Sequence, residues 1–130
     1  MKLGVQLFGD PGCWRFKEMF PGVFASFGCG PGGIGDFLVP DTVWFLSIKP
    51  ACQNHDWGYR FSPGCSEEDR LRHDRIFLNN MLRIINAKGG ILAPLRRRRA
   101  KTYYDMVRIF GANSYWSERN KPDELRTIAV

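Results

Sequence analysis

Nothing in this chain is long and apolar enough to cross a membrane as a helix. Its longest unbroken apolar run is Val43-Trp44-Phe45-Leu46, far short of the ~20 residues a spanning helix needs. Histidine is scarce, with His55 and His73 only, which leaves too few for a metal centre of several histidines. Cysteine is sparse as well. Cys13, Cys29, Cys52 and Cys65 form no Cys-x-x-Cys spacing and are too few for a disulfide-dense scaffold; two bridges or four thiols are both open. The first ten residues, Met1 to Asp10, lack the apolar stretch and small-residue cleavage site of a signal peptide. Either the chain is not exported by that route or it is a mature or trimmed form. Acid is missing from one region: residues 88–104 hold Lys88, Arg96, Arg97, Arg98, Arg99 and Lys101 without an Asp or Glu.

What is present is ordinary for a globular domain. The 130 residues are 44% apolar and 25% charged, which excludes wholesale disorder and predicts one domain. The net charge of +6 equals the charge of that one acid-free segment, so the rest of the chain balances. The protein carries a basic patch and is not basic all over, and such a patch faces a partner.

The helical signals define a mainly α architecture. Residues 1–40 are rich in Gly, Pro and Phe, with one short helix predicted over Trp14 to Phe20. Pro21-Gly22 and the run Gly28-Cys29-Gly30-Pro31-Gly32-Gly33-Ile34-Gly35 are predicted to be loop. Pro50 suits the first turn of a helix running to about Phe61, broken by Ser62-Pro63-Gly64-Cys65. Ser66 followed by Asp69 resembles a capping box, and Glu67, Glu68 and Asp69 suit the positive end of the next helix. That helix carries Leu71, Phe77, Leu78, Met81, Leu82 and Ile85 at near-helical period until Gly89-Gly90. A third helix is predicted from Pro94, with Tyr103, Val107 and Phe110 on one face before Gly111. The tail from Ser117 to Val130 is polar and predicted to be mobile. No strand pair is expected.

Chemistry concentrates in Cys52-Gln53-Asn54-His55-Asp56-Trp57-Gly58-Tyr59. Cys52, Asp56 and Tyr59 share one helix face, and His55 and Tyr59 share an edge. Only four residues link this helix to the next, so the two run antiparallel. His55 lies ~9 Å before the link and Asp74 ~13 Å after it at 1.5 Å per residue, so they sit at similar height. Asp74 shares a stripe with Phe77, Leu78 and Met81, and a carboxylate there needs a partner. His55 is that partner. The pair reads as an imidazole base oriented by Asp74 that activates water, beside a second carboxylate, Asp56, suited to a hard cation. The glycine-rich loop can offer carbonyls to such an ion, because glycine lets the main chain approach closely.

These residues resemble a known family. Gly28-Cys29-Gly30-Pro31-Gly32-Gly33 is similar to the calcium loop of secreted phospholipases A2, and Cys52-x-x-His55-Asp56-x-x-Tyr59 to their active-site helix. Asp74 stands where the short bacterial and fungal branch has its dyad aspartate, and Tyr103 to Gly111 resembles that branch's last helix. The resemblance spans about residues 26–111. It implies a phospholipase A2-like pair of antiparallel helices with a calcium loop and a third C-terminal helix. It further implies calcium-dependent hydrolysis of the sn-2 ester of glycerophospholipids. His55, Asp74, Tyr59 and Gly30 would be catalytic, with Tyr59 hydrogen-bonded to Asp74. Calcium would be bound by the carbonyls of Gly28, Gly30 and Gly32 and the Asp56 carboxylate, and a Cys29–Cys52 disulfide would tie the loop to the helix. In the bacterial branch a carboxylate from the preceding segment also binds calcium, which here implies Asp36. Gly58 stands where most secreted animal members have a cysteine. The family's members work outside the producing cell.

Other readings compete with this one. Small phage-encoded proteins carry a similar His-Asp helix and Tyr…Arg-Ile-Phe-Gly ending, which gives the alternative of a non-enzymatic phage or effector structural protein. Cys52, His55, Cys65 and His73 have irregular spacing for zinc. Gly28-x-Gly30-x-x-Gly33 matches a dinucleotide fingerprint, but no strand precedes it and Pro31 interrupts it. His73-Asp74 echoes His-Asp phosphohydrolases, which need more histidines; His73 itself reads as a helix-surface residue. Arg96, Arg97, Arg98 and Arg99 read either as a solvated helix start or as contacts to an anionic phospholipid surface. Their place near a positive helix end favours the second, and no nucleic acid is expected as partner. Trp14, Phe16, Phe20, Phe24 and Phe27 either pack over the helices or rim an acyl-chain slot.

Overall fold

A computed structural model describes residues 5–28, 39–117 and 119. Those residues form a mainly α protein with six helices and one small β-hairpin. The helices are α1 (Pro11–Met19), α2 (Pro21–Ala25), α3 (Lys49–Phe61), α4 (Glu67–Lys88), α5 (Ala93–Phe110) and α6 (Ala112–Ser117). The hairpin pairs β1 (Thr42–Val43) with β2 (Leu46–Ser47), antiparallel, Val43 opposite Leu46. No described helix is long and apolar enough to cross a membrane.

Local chemistry explains the boundaries. Pro50 occupies the first turn of α3, as expected. Ser66 caps α4 by accepting from the Asp69 amide at 3.0 Å. Asp69 does not complete a capping box; its carboxylate accepts from the Tyr115 hydroxyl at 2.6 Å, and the Ser66 amide turns to the Tyr115 oxygen. Gly89 and Gly90 both adopt positive φ and end α4.

Three expectations fail locally. Pro21-Gly22, expected as loop, opens α2, because a proline at the first helical position loses no hydrogen bond and presets φ. The hairpin was not expected at all. Phe110, expected on the inner face of α5, is exposed; the face that packs inward is Arg96, Ala100, Tyr103 and Val107.

Helix α4 packs against both α3 and α5 around one core. Tyr59 and Cys52 from α3, Phe77, Met81 and Ile85 from α4, and Ala100, Tyr103 and Val107 from α5 meet there. Val39, Val43 and Ile48 close one end and Tyr115 of α6 also enters it. A second cluster under the lead-in gathers Cys13, Phe24, Phe27 and Trp57. The lead-in is fastened to α4 by Asn80, whose amide accepts from the Phe8 N–H at 2.7 Å and donates to the Phe8 carbonyl at 2.8 Å. Asp10 adds an ion pair to Arg72.

Most of the polar tail lies outside the described residues, but Arg119 is anchored rather than mobile. Its guanidinium donates to the carbonyls of Gly58, Ser62 and Gly64 at 3.0, 2.8 and 2.6 Å, and also to that of Tyr59. It thereby joins the Ser62 amide at the Gly58 carbonyl and adds a donor to carbonyls at and just beyond the end of α3.

Candidate active site

His55 and Asp74 meet as the helix arithmetic predicts. Nε2 of His55 lies 2.7 Å from Oδ1 of Asp74, and both side chains are completely buried. The Tyr59 hydroxyl donates to the same oxygen at 2.6 Å. The His55 ring is held between Tyr59 and Phe77, with centroids 4.2 and 4.7 Å away. An ionised carboxylate can only accept, so Nε2 carries the proton and Nδ1 keeps the lone pair. Nδ1 is buried and has no hydrogen-bond partner among the described residues.

Asp74 is ionised for reasons that spacing alone did not reveal. Burial pushes its carboxyl up, but the hydrogen bonds from His55, Tyr59 and Arg108 outweigh that and hold it below the ordinary carboxylate value. Arg108 donates to Oδ2 at 2.6 Å, and Arg70 stands 3.5 Å from the same oxygen. Arg70 is itself fixed by the carbonyls of Val107 and Arg108 at 3.2 and 3.3 Å. Arg70 lies four residues before Asp74, an ion-pair spacing that was open to sequence reading. Arg108 comes from another helix and gave no such sign. Burial chiefly, with the Asp74 charge beside it, pushes the Tyr59 phenol well above its usual range; Tyr59 therefore acts as a donor and not as a base.

Asp56 follows His55 on α3 and is almost wholly buried. Desolvation raises its carboxyl above the ordinary value against the pull of Arg60, His55 and the Gly28 amide. Arg60, four residues on, donates to Oδ1 at 3.0 Å. The other oxygen, Oδ2, is buried without a hydrogen-bond partner among the described residues. A Cβ at Gly28 would lie 3.5 Å from Oδ1 of Asp41. Asp41 joins the neighbourhood of the glycine loop although it was not singled out as a site residue. Gly30, Gly32, Asp36 and Cys29, all expected in the site or its disulfide, lie outside the described residues. Cys52 is fully buried. The described residues contain no group of three or more His, Cys, Asp or Glu arranged to hold a metal.

Two expectations about neighbouring residues are corrected. His73 is not a surface residue but is buried, with its ring against Gly58, where an added Cβ would lie 2.8 Å from Cγ. Burial, with repulsion from His55, lowers its pKa to about 4 despite the attraction of Asp69. Arg96 is not part of an exposed run. It is buried and donates to the carbonyls of Val43 and Trp44 at 3.3 and 2.7 Å. Arg97, Arg98 and Arg99 remain exposed.

The lead-in aromatics pack together over α3, and two of them also line a cleft. Phe16, Phe27 and Phe61 stack on one another with centroids 4.9 to 5.9 Å apart. Trp14 and Phe24, which also pack in that cluster, line an open cleft of about 570 Å³ with Leu7, Pro50, Gln53 and Ile84.

No protein-family model, no curated protein and no solved structure matches the chain, so the chemistry is judged from the geometry of the site itself.

Proposed function

We propose that the protein is a calcium-dependent, phospholipase A2-like hydrolase acting on the sn-2 ester of glycerophospholipids. The observation that carries this reading is the buried His55–Asp74 pair, with Tyr59 on the shared oxygen and Nδ1 of His55 left as a base without a partner among the described residues. Nδ1 takes a proton from water as that water attacks the ester carbonyl, and returns it to the leaving glycerol oxygen when the tetrahedral intermediate collapses. Asp74 fixes the tautomer and stabilises the imidazolium between those steps. Tyr59 and Arg108 hold Asp74 in place.

The donor set fits a hard cation in one respect: Asp56 Oδ2 is a buried carboxylate oxygen without a partner among the described residues, and a cation there offsets the cost of keeping Asp56 ionised. Asp56 and the Gly28 carbonyl would hold calcium, with Gly30, Gly32 and Asp36 as further ligands proposed from the sequence. When bound, calcium supplies polarisation of the ester carbonyl and charge neutralisation at the phosphate. The Cys29–Cys52 bridge, likewise a proposal, would brace the loop against α3. The cleft beside Trp14, Phe24 and Gln53 offers an apolar slot for an acyl chain.

A second reading is supported by Arg60, Arg70 and Arg108, which already balance Asp56 and Asp74 without any ion. On that reading the helix pair is retained in a non-enzymatic structural protein. Calcium titration and fatty-acid release from mixed micelles separate the two. The enzyme reading expects millimolar or tighter calcium binding and calcium-dependent release. His55→Gln should lower the rate by at least ~10²–10⁴-fold with calcium binding intact, whereas Asp56→Asn should abolish both. Wild-type protein that binds no calcium at millimolar concentration leaves the structural reading in its place.

A further inference from the structure

We propose that the β-hairpin tip and the start of α5 form a docking surface for anionic lipid bilayers. The surface is separate from the His55 site and is built from features that the fold does not need. The two residues of the hairpin turn, Trp44 and Phe45, both have positive φ, 42° and 67°. A two-residue turn of that kind favours Asn and Gly, because a bulky side chain is strained there. This chain places two large aromatics at those positions instead, and Phe45 is left 90% exposed. Burial does not repay that strain. Ile91, in the turn before α5, is 95% exposed, and Leu95, one turn into the region, is also open to solvent.

The apolar tip is fastened to the basic start of α5. Arg96 holds the turn to α5 through the Val43 and Trp44 carbonyls. Arg99, four residues after Leu95 on the same helical stripe, lies over the Trp44 ring with 5.4 Å from guanidinium carbon to centroid. Arg97, Arg98, Lys88 and Lys101 are exposed in the same acid-free segment. Protruding aromatic and aliphatic side chains beside a basic helix start suit the bilayer interface, where the rings sit at headgroup depth and the cations meet lipid phosphates. Nucleic acid offers phosphate but little for Ile91 and Phe45 to enter. A second copy docking on the same face would set one basic rim against another.

Binding to vesicles of ether-linked lipids tests this, because such lipids lack the ester and the outcome is independent of any hydrolysis. Wild-type protein should sediment with vesicles of equal parts phosphatidylcholine and phosphatidylglycerol. It should not sediment with phosphatidylcholine alone, and added salt should weaken the binding. Arg97→Gln, Arg98→Gln and Arg99→Gln combined should weaken partitioning ~100-fold. Phe45→Gly should weaken it ~10-fold or more while raising the melting temperature, since glycine relieves the turn. That pairing rules out misfolding as the cause. Unchanged partitioning by Phe45→Gly, equal affinity for neutral vesicles, tighter binding to duplex DNA, or a wild-type dimer that Phe45→Gly dissociates would each overturn the proposal.

Discussion

The α3–α4 interface and the hairpin–α5 face treat side chains in opposite ways. At the first, charge is turned inward: Asp74 is wholly buried and collects His55, Tyr59, Arg70 and Arg108. At the second, apolar surface is turned outward: Phe45 and Ile91 face solvent at the end of a well-packed hairpin. Arginine appears in both with different tasks. Arg70 and Arg96 are buried fasteners held by backbone carbonyls, while Arg97 to Arg99 stay in water. Residue type does not decide the role; the number of carbonyls or carboxylates within reach does. Buried polar networks of the first kind are costly to break, whereas exposed groups of the second kind are cheap to change.

The contrast is sharpest for Asp74. Asp74→Ala should destabilise the protein by ~3–5 kcal/mol, because Arg70 and Arg108 are left without their buried counter-charge. Urea denaturation would measure it, and a loss below ~1 kcal/mol would erase the distinction between the two regions. Next comes pH. His73 has a folded pKa of about 4 against an ordinary 6.5, so the unfolded chain takes up its proton first as acid is added. Stability is therefore intact above pH 6.5 and falls as the pH drops towards 4, by ~3 kcal/mol in all. Thermal melts of wild type and His73→Gln between pH 7 and 4 should show a shallower slope in the variant. The smallest effect compares neighbours within one run: Arg96→Gln should cost ~1–3 kcal/mol through the lost carbonyl contacts, and Arg98→Gln under ~0.5 kcal/mol. Equal costs would mean that the run acts as one surface after all.

These two regions were not equally legible in the sequence. The His55–Asp74 meeting followed from helical rise and a four-residue link, both local quantities. Spacing put Tyr59 on an edge with His55, whereas its bond to Asp74 was implied only by the family resemblance. Arg108 was hidden because its approach depends on how α5 packs, 34 positions from Asp74. His73 was misplaced because α4 is covered on more than one side, and only Gly58 on the facing helix leaves room for its ring. The hairpin was missed because Trp44-Phe45 is the opposite of the Asn-Gly chemistry that marks such a turn. The run Arg96 to Arg99 looked uniform until the Val43 and Trp44 carbonyls claimed its first member. Glycines proved informative in another way: a Cβ at Gly111 would stand 2.8 Å from the Tyr59 hydroxyl, so its role is close approach rather than helix ending alone.

Arg119 gives the molecule an order of assembly. The carbonyl of Tyr59 that it satisfies lies 60 residues earlier in the chain. As the chain leaves the ribosome, the helix bearing His55 can form long before its final turn acquires this partner. The emerging α3–α4 pair is then incomplete at the end nearest the link, where water must serve the Tyr59 and Ser62 carbonyls in the interim. A nascent chain released even a few residues short of position 119 would keep every site residue and lose the clasp on the α3–α4 link.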